Sequence, residues 1–195
     1  MALIGLRIPE EISKKLSKIS VSGKKEDPAG FHITMFYFDR KLKTKELSDI
    51  VGILHKNLLK FSPLKIKLKE IKHFSKNEDG FPIIVPIISN DLIELRKFLA
   101  KQFDEHNIKY SKKWPKYNPH LTLAYSNEEP EDKKLKEELF WTSKELFLYS
   151  SDKFEFGNLE TGTHIYLPFG KNASLKYEIL RLASFIFENH QLNAL

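Results

Sequence analysis

The sequence contains no cysteine, which excludes disulfides, thiolate metal sites and a cysteine nucleophile and accords with a cytoplasmic protein. No apolar run approaches the ~18 residues of a membrane span, so no membrane partner is expected. The opening MALIGLRIPEEISKKL holds a hydrophobic stretch too short for a secretory signal, and charge follows at once. A glycine-rich phosphate loop and a nucleophile elbow are both missing. No spacing resembles a zinc motif such as His-Glu-x-x-His, so neither a metal nor a cofactor is expected. Linkers, low-complexity stretches and fixed-period repeats are lacking too, which leaves residues 1–195 as one domain.

What is present is ample apolar material. The 195 residues are 41% hydrophobic and 12% aromatic, enough for one mid-sized core or two small lobes sharing one. The net charge of +6 favours anionic partners such as nucleotides, RNA or an acidic surface. It is carried largely by scattered lysines, so a merely solvated surface accounts for it as well.

Periodicity predicts strands at Leu3–Ile8, Phe31–Phe38, Leu64–Lys69, 82–88 and His120–Ser126, with further short strands at 144–150, 153–157 and 163–168. Pro86 points to an edge or a bulge. Helices are expected over Glu10–Ile19, from Thr44 (placed to cap) to Phe61, over Asp91–His106, and from Ser174 onward. The stretch 127–138 reads as loop passing into a short helix. The order mixes strands and helices rather than alternating them, which predicts an α+β fold.

Two strands carry the same pattern, Phe31-His32-Ile33-Thr34-Met35-Phe36 and Pro119-His120-Leu121-Thr122-Leu123-Ala124. His and Thr two apart leave the same face of a strand, while Ile33, Met35, Leu121 and Leu123 point to a core. Seven histidines and six threonines give roughly 0.2 expected His-x-Thr triplets by chance, and two occur. Imidazole gives or takes a proton near neutrality, so two on opposite sides of a phosphorus can serve as base and acid. Two threonine hydroxyls can hold the non-bridging oxygens.

These tetrapeptides, HITM and HLTL, resemble the paired signature of the two-histidine (2H) phosphoesterase superfamily, and LIGLRIPEEI resembles the opening of its 2′,5′ RNA ligase-like branch. The resemblance implies a bilobal fold with two pseudo-symmetric lobes of antiparallel or mixed sheet, flanked by helices around a central cleft. It implies metal-independent cleavage of small RNA-type phosphodiesters, with His32, Thr34, His120 and Thr122 as catalytic and phosphate-binding residues. Cyclic oligonucleotides or 2′–5′-linked oligoadenylates are the first expectation, over long RNA, since the basic residues are dispersed with no arginine-rich tract to follow an extended backbone. Some viral and phage members of the superfamily destroy such signals to evade immunity. A 2′,3′-cyclic phosphate on an RNA end is the enzymatic alternative, and a module that sequesters a nucleotide without cutting it is the non-enzymatic one. The expected partner is a nucleotide or short oligonucleotide, and no obligate protein partner is evident.

The loop KKWPKYNP at 112–119 offers Trp114 and Tyr117 for stacking on a base, with Lys112, Lys113 or Lys116 near phosphate. Packing the loop down would use the same two aromatics. Strand parity puts Tyr37 and Tyr125 opposite their histidines, in the core. His55, His73, His106 and His190 read as structural. His164 lacks a threonine two residues on.

Overall fold

The computed structural model describes residues 2–114, 116–150 and 163–170. The expected strand at 153–157, the helix from Ser174 and His190 lie outside them. In chain order the strands are β1 (Ala2–Arg7), β2 (Lys24–Lys25), β3 (His32–Phe38), β4 (Leu64–His73), β5 (Phe81–Pro86), β6 (His120–Ser126), β7 (Lys133–Ser143), β8 (Glu145–Ser150) and β9 (Thr163–Pro168). The helices are α1 (Glu10–Ser17), α2 (Thr44–Leu58) and α3 (Asn90–Glu105).

Two antiparallel sheets result, ordered β3-β1-β8-β9 and β2-β6-β5-β4-β7. They are built alike. The unit β1–α1–β3 repeats as β5–α3–β6, and β8 lies beside β1 as β4 lies beside β5. Each central helix turns a narrow apolar stripe inward, Ile12 and Leu16 on α1 and Leu92, Leu95, Leu99 and Phe103 on α3. Residues of both sheets and all three helices join one contiguous buried core. Phe36 on β3 meets Phe103 on α3 with ring centres 4.8 Å apart and Tyr110 at 5.1 Å, which ties the first motif strand to the second lobe. Such aromatic pairs contribute about 0.5–1.5 kcal/mol beyond their burial.

Two expectations need correction. Residues 133–143 form a strand, not a helix, because pairing with β4 from Leu64↔Ser143 to Ile71↔Lys133 overrides the helix-favouring composition KKLKEEL. Only Leu139, Trp141 and Ser143 show the buried alternation a strand should have, and these follow the charged run that hid it. The cap of α2 is Lys43, not Thr44. Its backbone N–H donates to the Glu46 carboxylate (3.2 Å), which also takes Arg40 at 2.9 and 2.7 Å. Of the two positions expected for Pro86, the edge is not the one found, since β5 is an interior strand. The missing donor of Pro86 falls where β4–β5 pairing is interrupted, between Lys72↔Ile84 and Lys67↔Ile88, opposite the irregularity of β4 near Leu68 and Glu70.

Candidate active site

The two motif strands carry the same defect. On β3 the pairing with β1 runs Ile4↔Phe36 and then Gly5↔Thr34, so Met35 is an extra residue. On β6 the pairing with β5 runs Ile83↔Ala124 and then Ile84↔Thr122, so Leu123 is extra. A bulge resets the side-chain parity of everything beyond it. Met35 and Phe36 are therefore both buried, as are Leu123 and Ala124. Tyr37 and Tyr125 accordingly return to the half-exposed face that carries His and Thr. This overturns their sequence-based assignment to the core. Burial, with Glu26 and Asp79 nearby, raises the Tyr125 phenol above the ordinary tyrosine value, and the neighbouring Thr122 hydroxyl partly offsets this. On the other lobe, Gly5 fits because β3 passes so close. A Cβ there would lie 2.4 Å from the Ile33 carbonyl oxygen.

The histidines are held in the same way. His32 Nδ1 lies 2.8 Å from the Gly30 carbonyl, and His120 Nδ1 lies 2.7 Å from that of Asn118. A carbonyl only accepts, so Nδ1 carries the hydrogen in each ring and Nε2 is left to exchange a proton. Gly30 closes a one-turn helix at Pro28–Gly30, which is capped by Asp27 accepting from the Ala29 N–H at 2.9 Å. Each imidazole also meets a phenylalanine edge, Phe147 at 6.3 Å for His32 and Phe74 at 4.8 Å for His120. Burial lowers the pKa of His120 below the ordinary imidazole value. The Asn118 carbonyl partly offsets that, and the nearby His32 lowers it further. The two rings are therefore electrostatic neighbours.

Cross-strand rows complete the cleft. His32 pairs with Arg7, and Thr34 pairs with Gly5, then Phe147, then Tyr166. Arg7, which the sequence did not single out, thus stands on the His32 face and donates to Tyr166 Oη at 2.8 Å. In the second lobe the row is Thr122, Ile84, Lys72. One cation from each sheet thus flanks the face that carries His and Thr.

The free edge of β3 is closed by the second lobe. Tyr117 Oη donates to the Thr34 carbonyl (3.1 Å), Arg96 Nε to that of Met35 (2.7 Å), and the Ser111 N–H to that of Tyr37 (2.8 Å). The Arg96 guanidinium lies 3.8 Å over the Phe36 ring. Burial pushes the Tyr117 phenol far above its usual range and keeps it a neutral donor. Arg96 thereby holds the bulge that aims Thr34. Arg96→Met should leave a buried carbonyl without a partner and cost about 1–3 kcal/mol in urea unfolding. An unchanged midpoint would remove this role.

Within the 112–119 loop the sequence-predicted residues part company. Tyr117 is half-buried and its hydroxyl is committed to β3, whereas Trp114 is 66% exposed and Lys116 is exposed. Lys113 Nζ sits 5.3 Å over the Trp114 ring, and Lys112 pairs with Asp104 at 3.1 Å. Elsewhere, His106 Nδ1 meets the Gln102 carbonyl at 2.8 Å at the end of α3. His73 has a carboxylate 3.2 Å from each ring nitrogen, Glu129 at Nε2 and Asp132 at Nδ1. Among the described residues no group of three or more His, Asp or Glu is placed to hold a metal ion.

The signature of the 2′-5′ RNA ligase superfamily matches residues 9–154, about three quarters of the chain. The chain belongs to that superfamily. Solved structures agree on the architecture. TT0787 of Thermus thermophilus aligns with a TM-score of 0.64 at 18% identity, covering 87% of this chain and 98% of its own. E. coli LigT complexed with 3′-AMP aligns at 0.59 and 16% identity, covering 86% and 94%. A structure described only as a phosphoesterase aligns at 0.63 and 14% identity, covering 87% and 98%. No curated protein sequence matches. Family and fold together make this a bilobal two-histidine phosphoesterase fold, two curled antiparallel sheets with three helices among the described residues.

Proposed function

We propose that the protein is a metal-independent phosphodiesterase that cleaves small RNA-type phosphodiesters, with cyclic oligonucleotides or 2′–5′-linked oligoadenylates as its first candidates. The observation that carries this reading is the matched pair of imidazoles. Each has Nδ1 locked to a backbone carbonyl, which leaves Nε2 of both for proton transfer. His120, whose pKa burial holds below the ordinary imidazole value, acts as base towards the attacking hydroxyl. His32 then protonates the departing oxygen. Thr34 and Thr122 hold the non-bridging oxygens, and Arg7 and Lys72 balance the phosphate charge from either side. Trp114 and Lys116 take the base and a neighbouring phosphate, and Tyr117, bonded to the Thr34 carbonyl, anchors the loop that carries them. Nucleotide substrates fit the relatives. E. coli LigT has been crystallised with 3′-AMP and with ATP.

The test is incubation with EDTA and a panel of cyclic dinucleotides, 2′–5′ oligoadenylates and 2′,3′-cyclic nucleotides, followed by resolution of the products. At least one member should be cut at an undiminished rate in chelator. Binding of panel members without any product would instead indicate a sequestering protein.

A further inference from the structure

The strand LKIKLK, whose alternation shows only one wet face in the sequence, lies on the catalytic sheet. Three rows fix which way that face points. Thr122, Ile84 and Lys72 are cross-strand partners, His120 pairs with Pro86, and Ile88 pairs with Lys67, which pairs with Phe140. Along β5 and the residues after it, Val85 and Ile87 are buried. Pro86 and Ile88 thus share the face of His120, and Ile84, itself buried, shares that of Thr122 through their pairing. The lysines of β4 therefore stand on the catalytic face, beside the cleft rather than behind it. Lys65 joins them through its pairing with Thr142.

This face is open and mixed in character. Phe140 is 76% exposed and Ile88 47%, on either side of Lys67 in one row. Two carboxylates share the face. Glu138 lies 2.5 Å from Lys67 and 3.3 Å from Lys69, and Glu70 lies 3.1 Å from Lys72. Four lysines against two acids leave a positive strip, and such exposed pairs are weak enough for a phosphate to displace. The strip begins about 10 Å from Thr122, two interstrand spacings away, and runs roughly 20 Å along β4. Lysines spaced along a strand, with an exposed ring among them, match a sugar–phosphate chain with a base to stack.

We infer that the outer face of β4 and β7, with Lys65, Lys67, Lys69, Lys72 and Phe140, is a binding track for the nucleotides that flank the scissile phosphate of a linear single-stranded oligonucleotide. The inference rests on the proposed reaction only in placing the scissile phosphate between His32 and His120. It assigns the enzyme a chain of several nucleotides in preference to a mononucleotide.

The test compares the parent with Lys65→Ser/Lys67→Ser and with Phe140→Ser, all changes at exposed or half-exposed positions. Fluorescence anisotropy reads binding of a labelled single-stranded hexa-deoxyadenylate, which lacks the 2′-hydroxyl and needs no turnover to be measured. Cleavage is followed on 2′–5′-linked and 3′–5′-linked hexa-adenylates and on 2′,3′-cyclic AMP. Each variant should bind the hexamer at least about tenfold more weakly. The double lysine variant should also lose about 1.4 from the slope of log affinity against log salt, at ~0.7 per phosphate contact. Whichever hexamer the parent cuts should show a raised KM, with 2′,3′-cyclic AMP unaffected. Unchanged hexamer affinity and salt slope in both variants would overturn the track, even with full activity on small substrates. Loss of hexamer binding in a protein that cuts nothing on the panel would uphold the track and sink the proposed reaction instead.

Discussion

Replacing His32 or His120 with alanine is expected to lower turnover by roughly 10²–10⁴-fold each, the usual worth of one positioned general acid or base. Both rings sit on half-exposed positions, and each makes one hydrogen bond to a loop carbonyl. Stability should therefore fall by only about 1 kcal/mol. The two losses should not add, because a base without its acid leaves the same uncatalysed step rate-limiting. Steady-state rates with urea unfolding of the same preparations check both halves. Either alanine variant retaining a near-parental rate would remove its histidine from the reaction.

The threonines should come next in effect. Thr34→Val and Thr122→Val keep the β-branched shape that suits a strand and delete only the hydroxyl. A hydrogen bond to a charged group contributes about 1.5–3 kcal/mol, one to two decades in rate. A fall in kcat exceeding any rise in KM would place the interaction in the transition state. Two valine variants as fast as the parent would make these hydroxyls part of the strand and nothing more.

How far the sequence exposed this site depends on what each residue answers to. The spacing of His32 to Thr34 and of His120 to Thr122 is a period-2 relation within one strand, so it survives folding unchanged. The next residues on the same strands did not. Tyr37 and Tyr125 lie beyond a bulge, and a bulge is a property of the pairing with β1 or β5, invisible to parity along a single strand. The apolar doublets Met35-Phe36 and Leu123-Ala124 were the available signal, since each interrupts the alternation set up by the histidine and threonine before it. Arg7, Arg96, Phe74 and Phe147 reach the site through partners 25 or more positions away and left no local trace. The lysines of β4 were legible as a wet face, but which face of the molecule that was depended on sheet order. In β7 the composition pointed to helix, and tertiary pairing decided otherwise.

Two neighbouring imidazoles carry the proposed reaction, with burial holding His120 below the ordinary imidazole pKa. The most direct test is the pH dependence of kcat/KM in the presence of EDTA, measured on whichever member of the nucleotide panel is cut. The free enzyme's base must be unprotonated and its acid protonated, which gives a bell whose limbs belong to the pair rather than to either ring alone. Because burial and the neighbouring His32 lower the His120 pKa, the acid limb should lie below the ordinary imidazole value of about 6.5. His120→Ala should abolish that limb along with most of the rate. A bell that keeps its height in chelator, with its acid limb displaced downward, is the predicted result. A profile without an acid limb, or one that collapses in EDTA and returns with zinc or manganese, would contradict it.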